Sequence, residues 1–508
     1  MASMALAGRL YTAAGVRELD RRAIEDHGID GYALMQAAGD AAFRLLRERW
    51  PGAVRLVIVC GGGNNGGDGL VVARLARSAG LLVRVLLTRE PAELTGSAAL
   101  AWRDFAAVGG DTVTEQAGEV ADGDLAADVV VDALLGTGLD RPVTGVVRRL
   151  IEQVNATACP VLALDIPSGL AADSGAVLGS AIRADETITF IARKRGLYTG
   201  AAPAMTGRVV LADLATPDAI HAGLEPWVEH APAGPAGLDW QRLAPRPPTA
   251  HKGTAGRLVI IGGHAAMAGA AALAGEAALR AGAGLVVVAT HPQAVDRVAA
   301  RRPELMVRGV AEPGRELPTL LADADAFVLG PGLGHDHWAQ AMLAATLAHG
   351  PAAGVVDADG LNSLAASAAS VPAAAVLTPH PGEAGRLLAR SAAEVECDRF
   401  AALDDLVARY KSAVVLKGAG TLVGDPAGRS TLIDVANPAM ATGGTGDVLA
   451  GLVGGLLAQG CPPGEAARLG AWIHARAGLV AAAGGDRGML ATDLMAPIRD
   501  LVREVVGG

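Results

Sequence analysis

Val54-Arg55-Leu56-Val57-Ile58-Val59-Cys60 runs straight into Gly61-Gly62-Gly63-Asn64-Asn65-Gly66-Gly67-Asp68-Gly69, which leads directly into LVVARLARSAG from residue 70. An unbroken apolar stretch, a glycine-rich turn and a segment of helical composition read as strand, turn and helix. Six glycines in nine positions require the backbone there to come close to something. In an open α/β sheet such a turn lies at the carboxyl end of a strand, where backbone N–H groups and the positive end of the helix receive anionic groups. Phosphate is the first candidate. The run lacks the GxGxxG dinucleotide fingerprint, however, and the next strand ends in Thr88 and Arg89 where a ribose would need a carboxylate. Hydride-transferring dehydrogenases are therefore disfavoured.

Outward from that turn, apolar runs recur at the spacing of helical crossovers: 54–59, 81–87, 128–135, 161–166, 186–191 and 208–214. Continuous Val/Ile/Leu runs mark strands buried on both faces, so a mostly parallel sheet with helices on both sides is expected. VRELDRRAIEDHG and GYALMQAAGDAAFRLLRERW, ahead of the first strand, read as two helices. After a stretch rich in Pro and Gly with no sustained period, a second β/α series begins with GRLVIIGG at 256–263. It continues through AGLVVVAT, DAFVLGPGLG, GVVDADG, AVLTPHPGE and AVVLKGAGT. The fold class is thus α/β with two doubly wound domains, residues 1–220 and 246–508, joined by a linker at 221–245.

With 508 residues, 51% of them apolar, the chain exceeds what one core absorbs. A formal charge of -10, from 43 basic and 53 acidic residues, leaves no footprint for nucleic acid. Cys60, Cys159, Cys397 and Cys461 are scattered, with no CxxC and no clustered His, which argues against a disulfide framework or a zinc site. MASMALAGRLYTAAG has no basic n-region, and the apolar region around 258–290 is broken by His264, Glu276 and Arg280. The expectation is a cytoplasmic protein that acts on small molecules, with neither membrane nor nucleic acid as partner.

In the first half, Asp132, Asp165 and Ser168 fall at predicted strand ends, and strand ends converge on one crevice. Asn64 and Asn65, each taken alone, read first as structural residues that tolerate left-handed backbone or cap a helix, and it is the polar residues at the other strand ends that turn the reading toward a site. Together these side chains offer a carboxylate, a hydroxyl and an amide oxygen, a set of hard donors suited to a monovalent cation or to orienting a polar substrate.

LYTAAGVRELDRRAIEDHGIDGYALMQAAG, GGGNNGGDG, DALLGTGL and LDIPSGL resemble, in order and spacing, the NAD(P)H-hydrate epimerase domain of the YjeF N-terminal type, over most of residues 9–215. The resemblance implies a Rossmann-like fold and a site for hydrated NADH and NADPH. It would be lined by Asn64, Asn65, Gly66, Gly67 and Asp68, by Gly136, Thr137, Gly138, Leu139, Asp140, Arg141 and Pro142, and by Asp165. It implies K+ held by Asn65, Asp132 and Ser168, and interconversion of the R and S epimers at C6. Asp132 is the candidate general base for reversible ring opening. Where that family has LMExAG this chain reads Leu34-Met35-Gln36-Ala37-Ala38-Gly39, without the carboxylate.

In the second half, Ala441-Thr442-Gly443-Gly444-Thr445-Gly446-Asp447 opens a helix. A capping role would explain any one of its polar residues. Adjacent glycines before an acid also make an anion cradle with a carboxylate aimed into it, which suits phosphoryl transfer. There is no Walker A sequence. Lys417 by itself reads as a snorkelling lysine and His380 as an ordinary hydrogen-bonded residue. With GGTGD, LKGAGT and TPHPGE, and with KGTAGRLVIIGG at 252–263, Gly269-Ala270, LGPGLG at 329–334 and DADGL at 357–361, nearly all of 245–505 is similar to the ribokinase-like superfamily, in its ADP/ATP-dependent NAD(P)H-hydrate dehydratase branch. That resemblance implies nucleotide contacts at Lys417, Gly418, Ala419, Gly420, Thr421 and Gly446. It implies hydrate contacts at Ala270, Gly332, His380 and Asp447, with Asp447 as catalytic base.

The implied cofactors are K+ and Mg2+ with ADP as cosubstrate, and the implied assembly is a homo-oligomer. His264 stands where the branch has a small hydroxyl residue. Two other readings fit the sequence: an ATP-dependent ribokinase-like kinase of a small molecule, and an N-terminal domain that is a noncatalytic nucleotide-sensing or assembly module.

Overall fold

A computed structural model describes residues 8–110, 112–114, 125–226, 228–231, 245–367 and 369–507. The chain divides into two compact units, Met1–Val228 and Glu229–Gly508. Most of the stretch expected as a linker, residues 227 and 232–244, lies outside the described residues.

The first unit begins with β1 (Arg9–Tyr11), α1 (Ala13–Arg21) and α2 (Gly31–Arg49). Thr12 caps α1, its hydroxyl accepting from Gly15 N at 3.0 Å, and Asp30 caps α2 by accepting from Ala33 N at 2.9 Å. The sheet is built from β2 (Arg55–Cys60), β3 (Leu82–Leu87), β4 (Thr112–Thr114), β5 (Val129–Ala133), β6 (Val161–Leu164), β7 (Glu186–Phe190) and β9 (Arg208–Ala212). Its order is β4-β3-β2-β5-β6-β7-β9, with every pair parallel. A short β8 (Arg193–Lys194) pairs with β1 outside this sheet.

Alternate residues of β2 and β5 enter opposite cores. Leu56 and Ile58 pack with α2, α3 (Asn64–Ser78) and α4 (Gly96–Ala107), whereas Val57 and Val59 pack with α5 (Gly145–Ala156). The winding direction reverses between β2 and β5, so the glycine-rich turn and the segment after Ala133 meet at the switch point.

In the second unit, β10 (Val228–His230), β11 (Arg257–Ile261), β12 (Leu285–Thr290), β13 (Met306–Gly309), β14 (Ala326–Leu329), β15 (Ala353–Val356), β16 (Ala374–Leu377), β17 (Ala413–Leu416), β18 (Thr421–Gly424) and β19 (Ser430–Ile433) follow in sequence. The spatial order is β13-β12-β11-β14-β15-β16-β17-β18-β19-β10. Pairing is parallel as far as β17, then antiparallel from β17 to β18 and from β18 to β19. The switch point falls between β11 and β14. The apolar helix α14 (Thr445–Ala458) packs on α6 (Ala268–Ala281) through small residues: a Cβ on Gly451 would stand 2.0 Å from the Ala274 carbonyl oxygen. Among the described residues no helix is long and apolar enough to cross a membrane.

Candidate functional site

At the switch point of the first unit the two loops are locked backbone to backbone. Gly61 N donates to Ala133 O at 2.9 Å, and a Cβ on Gly61 would stand 1.9 Å from Leu134 O. α3 starts at Asn64, so Gly66, Gly67 and Gly69 belong to its first two turns. They face protein: a Cβ at each would meet the Gly61 carbonyl, the Met35 thioether and the Ala133 methyl respectively. Much of the glycine content thus lets helix, strand and loop close on one another.

A cavity of about 1010 Å³ opens above this junction. Asn64, Asn65, Asp68, Asp165 and the whole segment from Gly136 to Pro142 line it, whereas Gly66 and Gly67 do not. Beneath it Asp132 is 0% exposed. Its Oδ1 accepts from Ser168 Oγ at 2.6 Å and from Leu134 N at 3.2 Å, and its Oδ2 accepts from Ser168 N at 2.8 Å. Burial raises its pKa to about 6 against the pull of these donors. The Asn65 amide donates to Leu135 O at 2.9 Å, and Ser168 Oγ accepts from Leu135 N at 2.9 Å, so Asn65, Asp132 and Ser168 gather around the backbone of Leu134 and Leu135. The Asn65 Oδ1 atom is buried with no hydrogen-bond partner. An orphaned amide oxygen beside a hydroxyl and a carboxylate fits an alkali cation, which takes oxygen donors.

Three groups in this cavity escaped the sequence reading. Lys194, 1% exposed, donates to Asp165 Oδ1, to Thr189 Oγ1 at 2.9 Å and to Phe190 O at 3.0 Å. Asp20 and Arg17, on α1, also line the cavity. Burial, with the nearby charges of Asp165 and Asp20, pushes Asp68 well above the usual carboxylate range. The visible signal for Lys194 was a lysine just after an apolar strand, in ITFIARKRG.

The second unit repeats the same junction. Gly263 N donates to Pro331 O at 2.9 Å, His264 N donates to Gly332 O at 2.6 Å, and a Cβ on Gly262 would stand 2.2 Å from Pro331 O. Gly332 has φ +57 and faces the Ala270 methyl, which brings these two predicted residues together. The imidazole of His264 takes Asp336 Oδ2 at 3.1 Å and lies tilted against His291 and Trp338.

Beside that junction stands a network of charge. Asp357, which follows β15, accepts Lys417 Nζ and Thr378 Oγ1 on Oδ1, each at 2.8 Å. Lys417 also lies 3.7 Å from Glu383 and close to Gly446. Lys417 to Thr421 form the tight turn of the antiparallel β17–β18 hairpin, with Gly418 at φ +143 held open by the buried Arg399 guanidinium. Arg399 donates to the carbonyls of Leu416 and Lys417, both at 3.1 Å. His380 caps α11 (Pro381–Leu388), its Nδ1 accepting from Gly382 N at 3.0 Å, while Glu383 accepts from His380 N at 2.8 Å.

Asp447 lies in the first turn of α14, where burial and then the Asp357 carboxylate raise its pKa to about 7. Behind this turn the half-buried His474 donates from Nε2 to Thr445 O at 2.8 Å, and desolvation lowers its pKa to about 4. Asp357, Thr378, Glu383 and His474 therefore support the predicted residues without having been singled out as site residues. A carboxylate of raised pKa, an ammonium and a helix N-terminus thus lie near one another, a set of groups suited to phosphoryl transfer.

Comparison with known proteins accords with this geometry. The family described as YjeF-related protein N-terminus matches residues 31–196, and the family described as NAD(P)H-hydrate dehydratase matches residues 258–499. Over 498 residues the chain is 44% identical to the bifunctional NAD(P)H-hydrate repair enzyme Nnr of Coxiella burnetii, with 97% of this chain and 99% of that protein covered. It is 43% identical over 498 residues to the enzyme of the same name from Escherichia coli K12, with 98% and 94% covered. Among solved structures, ADP/ATP-dependent NAD(P)H-hydrate dehydratase from Bacillus subtilis, co-crystallized with ATP/Mg2+, is 26% identical with a TM-score of 0.45, covering 52% of this chain and 94% of that one.

Proposed function

Because the chain belongs to the bifunctional NAD(P)H-hydrate repair enzyme family, we propose that it performs both halves of that repair. The first unit interconverts the R and S epimers at C6 of hydrated NADH and NADPH. The second dehydrates the S epimer at the expense of ADP, giving AMP and phosphate. The observation that carries the reading is Asp447, a carboxylate with a pKa near 7 in the first turn of α14, within the field of the Lys417 ammonium.

Hydroxide is a poor leaving group, and phosphoryl transfer to the C6 hydroxyl turns it into a good one. Asp447 takes the hydroxyl proton as the oxygen attacks, and a pKa near the working pH suits that task. The N–H groups at the start of α14 and the Lys417 ammonium receive the charge that develops on the phosphoryl oxygens. Phosphate then leaves C6 with the C–O electron pair, a proton leaves C5, and the dihydronicotinamide ring is restored. Gly418, Ala419, Gly420, Thr421 and Gly446 are the proposed nucleotide contacts, and Ala270, Gly332 and His380 border the hydrate.

Asn65, Asp132 and Ser168 would hold K+, which supplies fixed positive charge under the substrate. Mg2+ would take one or two carboxylates along with phosphate oxygens, and Asp357 is the buried carboxylate beside the cradle that could supply one. The reading includes a cytoplasmic homo-oligomer as the working form.

The test is chromatography of mixed R and S hydrated NADH incubated with the protein, K+ and Mg2+, with ADP, ATP or no nucleotide. Recovery of NADH from both epimers with ADP, alongside AMP and phosphate, is the expected result. An untouched mixture would overturn the reading.

A further inference from the structure

Asp165 combines features that a substrate contact alone does not require. It has φ +65, a left-handed conformation rare for a residue with a Cβ, and its N–H donates to Ile188 O at 2.7 Å. Backbone strain of this kind persists where the surroundings over-determine it, and it gathers at functional sites. Ile191, across the same cavity, has φ +64.

The two carboxylate oxygens are treated differently. Oδ1 is held by the Lys194 ammonium and by Phe190 N at 3.3 Å. Oδ2 has no hydrogen-bond partner among the described residues and lies 3.8 Å from where a Gly136 Cβ would stand, on the segment that lines the cavity. Lys194 is itself saturated, since Thr189 Oγ1 and Phe190 O take its other protons. It therefore cannot turn toward a ligand without losing a partner. Its function is to fix one oxygen and present the other.

Asp132 is arranged in the opposite way. Both its oxygens are occupied by Ser168 and the backbone, and it does not line the cavity. Its place is under the site, in the cation cluster.

We propose that Asp165, through Oδ2, is the proton carrier of the epimerisation and that Lys194 is its positioning residue, while Asp132 serves the cation. This rests on the epimerase reading given above. In the step, Oδ2 takes the proton of the C6 hydroxyl; the C6–N1 bond breaks with its electron pair going to N1, and C6 becomes an aldehyde. The proton passes from Oδ2 to N1. Rotation about C5–C6 turns the other carbonyl face toward N1, which returns its proton to Oδ2 and attacks C6, and the new hydroxyl oxygen recovers the proton. Nothing is consumed, and the only change is the configuration at C6.

The experiment uses full-length protein and pure R hydrate of NADH, with conversion to S followed by chromatography in the absence of nucleotide. Dehydration of pure S hydrate with ADP is measured in the same preparations as a check of folding. Asp165→Asn keeps the shape and removes the base; its epimerisation kcat should fall about 10²- to 10⁴-fold with KM within about threefold and dehydration unchanged. Lys194→Met should lose kcat in the same way, and Lys194→Arg should recover much of it, which loss of packing alone would not explain.

If the wild type converts R to S and Asp165→Asn does so within threefold of it, the proposal is overturned even though the epimerase reading stands. If the wild type does not convert R to S, the reading itself fails. Should Lys194→Met not fold, Asp165→Asn, on the cavity wall, still decides.

Discussion

Lys417 Nζ lies 2.8 Å from Asp357 Oδ1, and Asp357, 1% exposed, directs its other oxygen toward Gly446 at the start of α14. One buried carboxylate thus fixes the ammonium of the phosphoryl site and also acts on Asp447, whose pKa it helps to raise. Substitution Asp357→Asn removes that negative charge. Asp447 should then ionise at lower pH, so the acid limb of dehydration kcat/KM moves down from about 7. The freed Lys417 should raise the KM for ADP several-fold. A pH profile from 5 to 9 with S hydrate decides: an unmoved limb would remove Asp447 or Asp357 from the titration.

Asp447→Asn separates function from stability. Loss of the base should lower dehydration by about 10²- to 10⁴-fold while R and S interconversion continues. The folded pKa, about 7, lies above the unfolded one, so the group favours folding below the unfolded pKa, and that support is lost as pH rises through the folded value. The variant should therefore be more stable than the wild type at pH 8, by roughly 2–4 kcal/mol for a shift of this size, with the difference vanishing near pH 4. Urea titrations at the two pH values measure it.

Potassium should stabilise the first unit through the oxygen of Asn65 that has no protein partner. At a concentration 100 times its dissociation constant, a ligand specific to the folded state contributes about 2.7 kcal/mol. Replacing choline chloride by KCl at equal ionic strength should raise the melting transition of this unit. Asn65→Ala should abolish most of the rise, and an equal rise in that variant would place the cation elsewhere.

Two glycines of one turn should respond in opposite ways. Gly61→Ala forces a methyl to within 1.9 Å of a carbonyl oxygen, whereas Gly63 faces open space. The first substitution should cost about 2–4 kcal/mol and epimerase activity. The second should stay within about 1 kcal/mol. Equal effects in chemical denaturation would refute the packing account of Gly61.

The strand series of both halves could be read from the sequence because buried parallel strands are unbroken apolar runs, and β2, β3 and β7 fall within a residue or so of the expected spans. The strands β18 and β19 are not among the expected runs, and they add an antiparallel hairpin to the parallel series. Short strands of four residues in an apolar sheet carry no directional signal. The glycines after β2 read as facing a ligand, yet Gly66 and Gly67 face Gly61 and Met35, because composition does not reveal where a helix begins. Lys194 and Asp357 went unremarked as site residues for a related reason: each acts through a partner far away in sequence, Asp165 and Lys417 respectively.

The hairpin at Lys417 to Thr421 differs from the two switch-point junctions in the length of chain it must close. A tight turn forms within a few residues, whereas Gly61 with Leu134 and Gly262 with Pro331 each join segments separated by roughly 70 residues, and such non-local closure is slow. In refolding, the proposed nucleotide turn should therefore acquire amide protection ahead of the loops proposed to bind the hydrate. A partly folded chain would then recognise the adenine nucleotide before it could act on anything with it, which a pulsed hydrogen-exchange experiment with and without ADP would reveal.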